Sequence, residues 1–137
     1  MRIPKENLEM IKTTIFEAIE SGRMPAYRGN SCLYRDGEGH ACAYGVLVPD
    51  DHPHLQEMVT LGTSVKGLEG SLGEAVFDVP ALHGAKRDIN TLDFLSALQH
   101  THDSIVGQYY ETHTREEMKG PLREAYESFF EREEAYE

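Results

Sequence analysis

Cys32, His40 and Cys42 are the first residues of this chain whose types could do chemistry. Thiolate and imidazole are the ligands zinc prefers. Both cysteines of the 137-residue chain lie within residues 31–54, with three of its seven histidines. The spacing argues the other way, because no C-x2-C knuckle is present. Leu33, Ala41, Ala43 and Val46 flank the thiols and read as core. A free cysteine in such company behaves as a small buried hydrophobe. We therefore expect packing, with zinc at Cys32, His40 and Cys42, or a reactive thiol, as the alternatives.

Two further clusters have ligand-type side chains. Asp50, Asp51, His52 and His54 could hold a divalent ion, but acids there also suit a helix start, where they meet the positive end of the dipole. Gln99, His100, His102 and Asp103 form the other. On a helix His100 and His102 point about 200° apart and cannot share a metal. His102 falls on an apolar stripe and is expected to be a hydrogen-bonded core histidine. If Cys42, His102 and Asp103 met in the fold, they would make a cysteine-hydrolase constellation. No P-loop, dinucleotide fingerprint or Gly-x-Ser-x-Gly elbow occurs.

The elements that must position these residues are mostly helical. Leu8, Ile11, Ile15, Ala18 and Ile19 predict a helix over 4–21, closed by Gly22. "CLYR" (32–35) and "HACAYGVLV" (40–48) flank "DGEG", an Asp-Gly hairpin signal. A four-residue loop would put Cys32 and Cys42 on opposite faces, and a three-residue loop would set them opposite each other. Gly45 inside the second arm marks a bulge or a close backbone approach. Asp50 or Asp51 can cap a short helix over 53–58, and Ser71 with Glu74 has capping-box spacing for another over 71–78. Residues 60–70 and 79–88 read as loop. Asn90 is expected to cap the clearest helix, to Tyr110, with Thr91, Leu95, Leu98, His102, Ile105 and Tyr109 on one stripe. Thr114 and Glu117 repeat the capping spacing, and Gly120-Pro121 should break or kink the chain. Leu122, Ala125, Tyr126, Phe129 and Phe130 then give a last apolar face, opposite Glu124, Glu127, Glu131 and Glu133. The fold class is α+β, mostly α, with four to five helices around one small β-hairpin in a single domain, 1–137.

The hairpin and later helix together resemble small, mostly uncharacterised bacteriophage-type proteins. Those carry Cys-x-Tyr-Arg leading into Cys-Ala-x-Gly-x-Leu-Ile-Pro-Asp, then Leu-Gln-x-x-His-Asp. The matching positions are Cys32, Tyr34, Arg35, Cys42, Ala43, Gly45, Leu47, Pro49 and Asp50, then Leu98, Gln99, His102 and Asp103. Val46 stands where such proteins often have a second cysteine. The resemblance implies a phage-type origin and a compact α+β domain, and it assigns no activity.

The net charge of −11 argues against a nucleic-acid groove or an anionic membrane as partner. No apolar run approaches the ~20 residues of a membrane span, and no apolar signal core opens the chain. Two cysteines fit a reducing cytoplasm. The expected function is a non-enzymatic acidic binding protein, phage-encoded, that inhibits or decoys a basic nucleic-acid-binding host protein. Tyr34, Arg35, Tyr110 and Phe130 are the candidate contacts. One alternative is a small Cys/His enzyme or zinc or ligand-binding protein using Cys42, His102 and Asp103. The other is a self-assembling protein that pairs its C-terminal aromatic face in a homodimer.

Overall fold

The first apolar stripe folds as α1 (Lys5–Glu20), with Leu8, Ile11, Ile15, Ala18 and Ile19 all buried and Pro4 at the N-cap. Gly22 follows with φ +79°, a left-handed turn that glycine makes without strain. The computed structural model describes residues 1–136. Among them the chain forms six α-helices, two short 3-10 turns and one antiparallel hairpin, an α+β fold that is mostly helical.

The hairpin is not where the Asp-Gly signal put it. β1 (Tyr27–Arg28) and β2 (Ser31–Cys32) pair Tyr27 with Cys32 and Arg28 with Ser31, turning at Gly29-Asn30. At the expected site only one bridge forms, between Arg35 and Ala41. The expected second arm is instead a helix, α2 (Ala43–Leu47), buried at every residue. A short run that is apolar on all sides has no period to distinguish strand from helix. Two local contacts decide it. The Cys42 thiol accepts a hydrogen bond from the Gly45 N–H at 3.3 Å and caps the helix. Gly45 lies so close to the Tyr34 carbonyl that a Cβ there would be 2.2 Å from the oxygen.

The middle of the chain is short elements: α3 (Leu55–Leu61), α4 (Gly70–Ala75) and 3-10 turns at Val65–Gly67 and Pro80–Leu82. Several expected caps are replaced. Asp50 pairs with Arg35 at 2.7 Å, and α3 starts at His54 without a side-chain cap. Glu69 precedes α4, also without a side-chain cap. Asp88, immediately before the helix, displaces Asn90 as cap of α5 (Ile89–Tyr109), accepting from the Thr91 N–H at 3.1 Å.

Thr114 and Glu117 do form a reciprocal box at 3.1 and 2.9 Å, in the turn before α6 (Lys119–Glu134). Gly120-Pro121 opens α6 and does not break it. Within the first turn the missing proline N–H has no carbonyl to serve. Leu122, Tyr126, Phe129 and Phe130 are buried, and α6 packs on α1 and α5. The face expected to seek a second copy is thus satisfied within one chain. Glu133 is not on the solvent face either, because it is buried against Arg2.

α2 packs on α1 and α5, while α6 closes the other side of the same pair. Aromatic rings fill the junction, with Phe129 edge-on to Phe130 at 5.1 Å between centroids. Each fully buried large apolar side chain contributes about 1.5–3 kcal/mol. Tyr126 adds a polar tie, its hydroxyl donating to the Leu98 carbonyl of α5 at 2.7 Å in a fully buried setting. Tyr126→Phe should lower stability by about 1–2 kcal/mol, read as an earlier urea midpoint with unchanged slope. An unchanged midpoint would show that the bond contributes nothing net.

Candidate functional site

α5 and the hairpin bring together residues that are far apart in sequence. His102 is fully buried in α5, and its Nε2 accepts from the Ala26 N–H at 3.2 Å. A backbone N–H can only donate, so the ring proton sits on Nδ1. Nδ1 in turn donates to Asp103 Oδ1 at 2.9 Å. Gln99, one turn earlier, donates to the same oxygen at 2.8 Å, and its carbonyl accepts from the Tyr44 N–H at 3.0 Å. The thiol of Cys32 in β2 lies against the Asp103 carboxylate. One polar network thus joins the hairpin, α2 and α5. Among the described residues no buried side-chain polar atom lacks a partner.

Ligand-type atoms of Cys32, His102 and Asp103 lie within 4.8 Å of one another. The expected trio of Cys32, His40 and Cys42 divides differently. His40 pairs with Asp36, whose Oδ1 also accepts from the Glu38 and His40 N–H groups at 2.8 and 3.1 Å. Burial opposes ionisation of Asp36, yet these bonds outweigh it and lower its pKa. Cys42 is fully buried under α2, with the Gln99 amide near its sulfur. A cation at Cys32, His102 and Asp103 would have to remove the Nδ1 proton and turn Nε2 into a donor facing the Ala26 donor. The tautomer opposes that exchange.

The same tautomer bears on nucleophilic catalysis. A thiol–imidazole pair needs a ring nitrogen free to take the thiol proton. In this site the ring's acceptor nitrogen is used by Ala26 and its donor nitrogen by Asp103. Burial, followed by the Asp103 charge, raises the Cys32 pKa. Burial also pushes the Cys42 thiol up to about 12, against the lowering effect of the Gly45 N–H. Asp103 moves the other way. Its burial favours the neutral acid, but bonds from His102, Cys32 and Gln99 prevail and its pKa is lowered. The group held charged is therefore the carboxylate, and the sulfurs stay protonated.

A pH consequence follows from Cys42. Its folded pKa of about 12 exceeds the ordinary 9.0, so between these values the folded chain binds more protons than the unfolded one. Stability is then full below pH 9 and lost as pH rises toward 12. Alkaline melts should show this loss, reduced in Cys42→Ala relative to that variant's own neutral value. Equal alkaline slopes in both proteins would contradict it.

Asp103 opens onto a cavity of about 330 Å³ between the hairpin and the loop after α3. Its side chain is 40% exposed there. Asn30, Cys32, Tyr34, Ser64 and Gln99 are among the other lining residues. Among the described residues that line it, Asp103 alone is charged. The loop residues Thr63 and Ser64 were not singled out by sequence; a stretch rich in Gly and turn formers was the available signal.

The four expected contact residues are placed unequally. Tyr34 is buried and lines the cavity, its hydroxyl bonded to the Thr63 carbonyl. Arg35 is spent inside the fold, donating to the Gly45 and Val48 carbonyls and to Asp50. Tyr110 is half-buried at the end of α5 and bonds Glu111. Phe130 is 1% exposed, so it packs the core and offers nothing to a partner. No helix among the described residues is long and apolar enough to cross a membrane.

No protein-family model matches this chain, and no match was found among curated proteins or solved structures.

Proposed function

We propose that this chain is an acidic, non-enzymatic binding protein that engages a basic nucleic-acid-binding protein of a bacterial host, as inhibitor or decoy. The phage-type resemblance supports the host assignment. The observation that carries the binding class is the Cys32–His102–Asp103 network: its imidazole is spent on the Ala26 amide and its thiol is held protonated, while the carboxylate stays charged. The charge of −11 supplies the long-range attraction to a basic surface. Glu124, Glu127 and Glu131 are exposed on one face of α6 and extend that field.

The test is capture of purified basic DNA-binding host proteins on the immobilised chain, at low and high salt, with DNA as competitor. Binding that salt weakens and DNA displaces is expected. Glu124→Gln, Glu127→Gln and Glu131→Gln together should weaken it about tenfold, at roughly 0.5 kcal/mol per exposed charge. No binding at any salt would overturn the reading. So would turnover of a substrate that is lost in Cys32→Ala while the fold persists.

A further inference from the structure

We propose that the Asp103 cavity is a receptor for a single arginine side chain presented by the partner. This rests on the basic-partner reading above and names the side chain that enters. His102 Nδ1 and Gln99 Nε2 both donate to Asp103 Oδ1, and the Cys32 thiol lies against the same carboxylate. The carboxylate still faces open space, on a side chain 40% exposed to the cavity. The network behind it fixes the carboxylate rigidly, which limits the entropy cost of binding. Leu33 offers apolar surface for an aliphatic stem, and Asn30 and Ser64 place polar groups at the exposed rim.

A guanidinium suits this layout better than an ammonium. It has five N–H donors in one plane and meets a carboxylate edge in fixed geometry, while its rim-side donors can reach Asn30 and Ser64. A lysine ammonium is a compact, strongly hydrated point charge and would have to shed more water to reach the floor. An anionic ligand would meet the one charge of the cavity with the wrong sign.

The probe is Nα-acetyl-arginine methylamide, titrated into the full chain and followed by backbone amide NMR. The lysine and citrulline counterparts serve as comparisons. The arginine probe should shift amides at 30–34, 62–64 and 99–103, citrulline should shift none, and lysine should bind more weakly. Asp103→Asn should weaken the arginine response at least tenfold. Asparagine keeps an Oδ1 for both His102 and Gln99, so the fold should survive, as a thermal melt will show. Ser64→Trp closes the mouth without touching the network and should also abolish the shifts. If citrulline and arginine behave alike, or if Asp103→Asn and Ser64→Trp both titrate like the native chain, the proposal is overturned.

The probe tests the cavity apart from the acidic surface. Probe binding without capture of any basic protein overturns the partner reading and leaves the cavity standing. Capture that neither variant weakens, with a silent probe, removes the cavity and leaves the partner reading.

Discussion

Gly45→Ala should destabilise the protein by about 3 kcal/mol or more, because the added methyl has nowhere to go. The atom it would meet, 2.2 Å away, is the Tyr34 carbonyl oxygen, which is backbone and not a movable side-chain tip. Tyr34 is itself held by the Cys42 N–H to its carbonyl at 3.3 Å and by its hydroxyl to Thr63. Moving that segment would also disturb Arg35, which ties three groups of the α2 end. Gly107→Ala is the matched control. It lies within α5 with open space around a built Cβ, so it should stabilise by about 0.5–1 kcal/mol through helix propensity. Urea midpoints for the two variants should move in opposite directions. Equal small effects would mean that the approach of α2 to Tyr34 is not a constraint.

Arg2→Ala carries the second large effect, a loss of about 2–3 kcal/mol. Glu133 is 3% exposed and receives a two-pronged pair from Arg2, with Nε to Oε1 at 2.9 Å and Nη2 to Oε2 at 2.7 Å. Removing one partner of a buried pair leaves a desolvated charge and typically costs about 3–5 kcal/mol. Arg2 is 18% exposed, so water offsets part of that cost. The guanidinium also lies 5.3 Å from the Tyr136 ring centroid and 5.9 Å from that of Phe94, adding cation–π contact. The expected recovery separates charge from packing. Arg2→Met combined with Glu133→Leu should restore most of the stability, because neither residue then leaves a buried charge unmatched. A double variant as unstable as Arg2→Ala would assign the loss to packing alone. The pair joins residues 131 apart in sequence, which is why helical periodicity placed Glu133 with the solvent-facing acids.

The candidate site shows a similar division. His102 was legible as a core histidine from its place on the α5 stripe, and its neighbours Gln99 and Asp103 follow from the helical repeat. The Ala26 amide that sets its tautomer was not legible. Nothing local in a loop written Met-Pro-Ala-Tyr says that its N–H will face a ring 76 residues away. Cys32 and Asp103 likewise meet only because the hairpin closes at Gly29-Asn30 and not at Asp36-Gly37. Both dipeptides suit a turn, and the choice between them depends on what the flanking segments pack against.

What the sequence determined by itself is whatever a repeat of 3.6 residues and a local cap can encode. That includes the three long helices, the buried stripes of α1, α5 and α6, the stop at Gly22, the Thr114–Glu117 box and the mostly helical class. The tertiary structure alone decided that 43–47 is a helix, that Glu133 is interior, and that one carboxylate faces a cavity with its sulfur and imidazole neighbours locked behind it. The physical reason is range. Periodicity and capping act within one or two turns of chain, whereas burial, carbonyl–glycine contact and proton placement on a ring are set by groups that only folding brings within bonding distance.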